Sequence, residues 1–180
     1  YSTHAEPALL QQIPPAVKFL RQRMRTEGPF RIARFGTEKV LCPNLPVLYG
    51  LHDVGGCDSI ILTDYVRYLK AIERPRLLFH NLILAFNRAR SLDSPLFSLL
   101  NVRYMLTVWR IRHPDWQLVF KDGRTRIYRN RHPYPRAFMV HQARSVDSLE
   151  QAIRLIKTKQ VDPLRTAVVK GPFETSALPS

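Results

Sequence analysis

The sequence predicts an α+β domain: one mixed sheet of about four to six strands with helices packed on it. Three observations carry this. Strand-like segments begin near residues 30, 102, 116, 125 and 137, while helical patterns begin near 14, 60 and 147. Asp122-Gly123 lies between two alternating runs, the mark of a hairpin and so of antiparallel pairing. A helix comes first and the hairpin late, an order unlike the regular repeat of a doubly wound sheet.

Residues 8–27 carry the first helical pattern. Pro14-Pro15 suits a first turn, Val17, Leu20 and Met24 share one face, and Gly28-Pro29 stops the helix. Phe30 to Phe35 reads as a strand and Val40-Leu41-Cys42 as a second, short one. Pro43-Asn44-Leu45-Pro46 is a turn leading through Val47-Leu48-Tyr49 into the stretch Gly50 to Ser59. That stretch, with three glycines and two aspartates, reads as a rigid, shaped loop feeding the next helix.

The next helix covers 60–72, where Ile61, Tyr65, Leu69 and Ile72 recur at spacings of four and three, and Pro75 closes it. Residues 76–92 are apolar without a clean period. Ser94-Pro95 opens a short helix through Leu100, with Ser94 as its cap. Val102 to Trp109 is a buried strand, followed by the hairpin arms Trp116–Phe120 and Thr125–Arg129. Ala137 to Val140 is another strand. Asp147-Ser148-Leu149-Glu150 resembles a capping box with aspartate in the cap position. It opens a helix with Leu149, Ala152, Ile153 and Ile156 on its apolar face, and Thr166 to Val169 forms a last strand. Residues 1–170 make up the single domain, with 171–180 a tail or linker.

Composition narrows the function classes. At 45% hydrophobic residues the 180-residue chain builds a true core, and no apolar run approaches a membrane span. Tyr1 to Gln12 have no basic region followed by an apolar one, so no signal peptide is visible. The chain starts without Met and reads as a piece of something longer. Lys and Arg number 28 against 14 Asp and Glu, a net charge of +14 that favours phosphate-bearing partners without choosing among them. Cys42 and Cys57 are too few for a disulfide framework or a zinc site. They form either one bridge, closing a loop of about 15 residues, or two buried thiols.

Motifs for nucleotide binding, metalloproteolysis and serine hydrolysis are lacking, and no pair of histidines has metal-ligand spacing. No catalytic, metal or cofactor site is predicted. His52 and Asp53 are neighbours on an extended segment, so they point to opposite faces and make a poor acid–base pair. Basic residues crowd the region from Arg103 to Arg136. Alternation puts Arg124 and Arg126 on one face of the hairpin, with Tyr128 following on that face. Arginines interleaved with an aromatic suit single-stranded nucleic acid. An ordinary solvated face, where charge discourages strand pairing, is the preferred reading, and no RNP, zinc-finger or helix-turn-helix signature supports nucleic-acid binding.

Several motifs carry a family resemblance: Pro14-Pro15-Ala16-Val17-Lys18-Phe19-Leu20, Phe30-Arg31-Ile32, Asn44 to Asp58, Leu99 to Thr107, Ile127-Tyr128-Arg129-Asn130 and Pro135 to Val140. Their order resembles the extracytoplasmic region of the YfhO-like bacterial membrane proteins, which are related to polytopic lipid-linked-sugar glycosyltransferases. Cys57 stands where that pattern has an aromatic residue.

The resemblance implies a domain on the extracytoplasmic side of the bacterial cell membrane, joined to transmembrane helices of its own parent protein. The catalytic carboxylates of related enzymes lie on loops between such helices, which this chain lacks. The implied role is a non-catalytic accessory domain that binds a phosphate-bearing lipid-linked or polymer acceptor. Asn44, His52, Asp53, Asp58 and Arg103 are then the candidate ligand-binding residues. Arg124, Arg126, Arg129 and Arg131 are the candidates for facing phosphate or the membrane. The alternative is a soluble basic nucleic-acid-binding module.

Overall fold

A computed structural model describes residues 13–36, 40–73, 78–79, 82–83 and 85–172. The first helix, α1, runs Pro15–Glu27, with proline in its first turn and Gly28 at φ 75° just past its end. Strand β1 (Arg31–Arg34) follows, then a single helical turn, α2 (Leu45–Leu48). Two-residue strands β2 (His52–Asp53) and β3 (Gly56–Cys57) precede α3 (Thr63–Ile72). After β4 (Leu78–Phe79) and β5 (Leu82–Ile83) come a 3₁₀ turn (Ala89–Asp93) and α4 (Pro95–Leu99). The chain then forms β6 (Val102–Thr107), β7 (Trp116–Asp122) and β8 (Thr125–Asn130). It finishes with β9 (Gln142–Val146), α5 (Leu149–Lys157) and β10 (Thr166–Lys170).

The main sheet has the order β2-β1-β6-β8-β7. β1 runs parallel to both β2 and β6, whereas β6, β8 and β7 are mutually antiparallel neighbours, so the sheet is mixed and the α+β class holds. Two smaller sheets accompany it: parallel β9 and β10, linked through α5, and the ribbon β3-β5-β4.

Both faces of the main sheet are covered. On one, Ala16, Val17 and Leu20 of α1 pack with Phe30, Ile32, Tyr104, Leu106 and Ile127. On the other, Leu69 and Ile72 of α3 and Leu96 and Phe97 of α4 meet Ala33, Met105 and Tyr128. Alternation therefore sends neighbouring residues of β6 and β8 into two different cores. Fully burying a side chain of Leu20's size stabilises by about 1.5–3 kcal/mol.

Several expectations shift. Val40-Leu41-Cys42 forms no strand; Leu41 drops into the core, 5% exposed, with Val40 half-buried against it. The expected turn at 43–46 contains the start of α2, and the helix expected from 60 starts at Thr63. Ala137 to Val140 is irregular, with Met139 85% exposed and no ladder partner; the strand lies later, at Gln142–Val146. The cap of α5 is Ser148 rather than Asp147: Ser148 Oγ accepts from Gln151 N at 3.2 Å, and Gln151 Oε1 accepts from Asp147 N at 2.9 Å. Ser94 sits at the cap of α4 without a side-chain capping bond. The helical start at 8–12, the closing Pro75, parts of 76–92 and the tail beyond 172 lie outside the described residues.

Candidate functional site

The glycine stretch is built into the sheet. β2 pairs with β1 through Arg31–His52 and Ile32–Asp53. This register brings Asp53 beside Arg34, whose Nε lies 3.3 Å from Asp53 Oδ2, both side chains almost wholly buried at 1% and 4% exposed. Asp53 Oδ1 accepts from Gly55 N at 2.9 Å, and Arg34 Nη2 donates to Ile83 O at 3.4 Å. Burial lifts the Asp53 carboxyl above its ordinary range, against the lowering influence of the Arg34 charge and the Gly55 and Val54 N–H groups. A Cβ at Gly55 would overlap Arg34 Nη2, so any larger residue there must push the guanidinium aside.

The other candidates of this stretch have structural partners. Asn44, at φ 68°, brackets Cys57: its Nδ2 donates to Cys57 O, and its Oδ1 accepts from Cys57 N at 2.9 Å. Asp58 Oδ1 accepts from Ile60 N at 3.3 Å, a local turn bond. His52 is exposed and turns its Nδ1 to Arg136 Nη1 at 2.7 Å. Arginine only donates, so Nδ1 is the acceptor there. His52 and Asp53 thus face different partners and make no acid–base pair. Cys42 and Cys57 are both free and exposed, neither bridged nor buried.

Arg103 belongs to a different place. Between β1 and β6 the register steps from Arg31–Val102 to Ile32–Tyr104, so Arg103 has no partner on β1. A bulge of this kind re-aims its side chain. Arg103 reaches the end of α1, where Nη1 donates to Glu27 O at 3.2 Å and lies 3.3 Å from Glu27 Oε2. Arg23 and Arg129 approach the same carboxylate at 3.5 and 3.6 Å, and Tyr104 OH donates to it at 2.7 Å. Burial, followed by this bond to Glu27, pushes the Tyr104 hydroxyl up to about 12. Three guanidiniums therefore share one carboxylate, and the side chains of Arg23 and Arg129 remain 43% and 48% exposed.

Glu27 and Arg23 escaped the sequence reading. A signal existed: Glu27 is the single acid in a helix that otherwise carries Lys18, Arg21, Arg23 and Arg25. Its meeting with Arg103 and Arg129 depends on pairing between distant strands, which local periodicity does not encode.

The hairpin arginines do not share one face. Gly123 and Arg124 form the two-residue turn between paired Asp122 and Thr125, with Gly123 at φ 52°. Arg126 Nη1 donates to Val108 O at 2.7 Å and to Arg124 O at 3.0 Å. Arg129 lies on the opposite face, toward Glu27. Arg131 is exposed just past β8. Tyr128 is 3% exposed, and its hydroxyl accepts from Ile111 N at 3.0 Å. It presents no ring for base stacking, which removes the aromatic half of the nucleic-acid reading.

Among the described residues no helix is long and apolar enough to cross a membrane, and no three His, Cys, Asp or Glu side chains gather as metal ligands. No protein-family model, curated protein or solved structure matches the chain.

Proposed function

We propose that this chain is a non-catalytic accessory domain on the extracytoplasmic side of a polytopic, glycosyltransferase-like membrane protein of the YfhO-like kind. In this reading it binds a phosphate-bearing lipid-linked or polymer acceptor, with the transmembrane helices of its parent as its neighbours. The carrying observation is the convergence of Arg23, Arg103 and Arg129 on the lone carboxylate of Glu27. One carboxylate offsets one guanidinium, so positive charge is left over on half-exposed side chains, where phosphate oxygens have access. The net charge of +14 extends the same preference over the surface.

Co-sedimentation with anionic and neutral vesicles tests it. Binding is expected to anionic vesicles only, fading as salt rises because screening acts over about 8 Å at physiological strength. Arg23→Ser with Arg129→Ser should weaken it more than Arg124→Ser with Arg131→Ser. Indifference to anionic vesicles at low salt, with retention of an oligonucleotide at about physiological salt, would favour the soluble nucleic-acid module instead.

A further inference from the structure

On the sheet face opposite α1, the helices α3, α4 and α5 frame two adjoining clefts of contrasting chemistry. The first, about 760 Å³, is lined by Lys70, Arg90 and Lys159 among other cations. Its two acids are already engaged: Glu150 with Arg67 at 3.7 Å and Asp93 with His113 at 2.9 Å. Among the described residues the side chains of Lys70, Arg90 and Lys159 have no ion pair or hydrogen bond. Lys159 also stands at φ 58°, a backbone conformation that favours glycine, at the turn ending α5. The second cleft, about 420 Å³, is mainly apolar, with Leu99, Phe138, Val140 and Ile156 in its walls. Ile153 lines both.

The geometry points to a binding site for an anionic amphiphile, a phosphate monoester on an apolar chain, with its head among Lys70, Arg90 and Lys159 and its chain along the Phe138 side. Charge selects the occupant. An apolar peptide would leave the three cations unanswered, and a free anion would leave the second cleft to water. Both volumes fall in the range of roughly 300–1,000 Å³ usual for small-molecule sites. The inference rests on the phosphate-binding reading above but places the specific ligand on the other side of the sheet from the Glu27 cluster. That cluster then serves surface attraction, and the clefts discriminate among ligands.

Titration calorimetry of the full chain tests this with three probes: dodecyl phosphate below its micellar concentration, inorganic phosphate, and neutral dodecyl maltoside. Dodecyl phosphate should bind about tenfold or more tightly than either of the others, since it alone answers both clefts. Lys70→Ser with Arg90→Ser should weaken it about tenfold, and so should Phe138→Ser, which in addition leaves phosphate binding unchanged. Lys159→Gly suits its own backbone and should weaken dodecyl phosphate without loss of stability. Equal binding of dodecyl phosphate and dodecyl maltoside, or no effect of the cation substitutions, overturns the proposal. Arg23→Ser with Arg129→Ser should leave dodecyl phosphate binding intact. A wild-type chain that takes dodecyl phosphate yet ignores anionic vesicles would refute the surface reading and support the clefts.

Discussion

The guanidinium of Arg34 occupies the place where a side chain at Gly55 would stand. The two residues are 21 positions apart, and the same guanidinium group places its Nε 3.3 Å from Asp53 Oδ2. Gly55→Ala should therefore destabilise the protein by about 1–3 kcal/mol, the usual range for overpacking. In an Arg34→Met background, where the flexible thioether yields, the same step should be milder. Urea unfolding of the four variants in a double-mutant cycle gives the coupling. A Gly55→Ala protein as stable as wild type would refute the contact.

Glu27 ties α1 to β6 and β8. Glu27→Ala should lower stability by about 2 kcal/mol, because it strands the Tyr104 hydroxyl and removes the partner of three arginines. Thermal unfolding at low and high salt measures this. The loss should shrink only partly in salt, since Tyr104 is buried.

Tyr104 adds an alkaline signature. Its folded-state value of about 12 lies above the ordinary 10.0, so the fold favours the neutral hydroxyl. That contribution is fully present below about pH 10 and is lost as pH rises toward 12, where unfolded chains ionise first. Tyr104→Phe should cost about 1 kcal/mol at neutral pH and flatten the decline between those limits. Denaturant midpoints across the range would show it.

Asn44 holds Cys57 by both ends of its amide. Asn44→Gly keeps the left-handed backbone but loses both bonds, and about 1–2 kcal/mol of stability should go with them. Asn44→Ala should cost somewhat more, because its Cβ stays in a conformation that alanine tolerates poorly. Thiol titration adds a second readout. Two thiols should react in the native wild-type protein, Cys42 and Cys57 both being exposed, and none would indicate a bridge.

Much of the fold was legible wherever one period ran unbroken. The strands around Ile32 and Met105, the Asp122-Gly123 hairpin and the helix through Leu69 follow from alternation, turn chemistry and spacing. β9 was not legible. Gln142 to Ser145 are all exposed, because this strand pairs with β10 alone and buries only Val146. Apolar Ala137 to Val140 imitated the missing signal. The site was harder still: Asn44, Asp53 and Asp58 stand out in sequence, yet the fold uses their polar atoms on its own backbone and on Arg34. The strand holding Tyr128 is evident from alternation, but the sheet is covered on both sides, so its ring points inward.

The skipped residue in β6 bears on what evolution or an engineer can remove. Val102 and Tyr104 already align with consecutive residues of β1. Excising Arg103 altogether would close the ladder without reversing the faces of Tyr104, Met105 or Leu106. A one-residue deletion in the middle of a sheet ordinarily turns core side chains outward. Here the chain should fold to the same architecture, shorter by a residue and lighter by one charge beside Glu27.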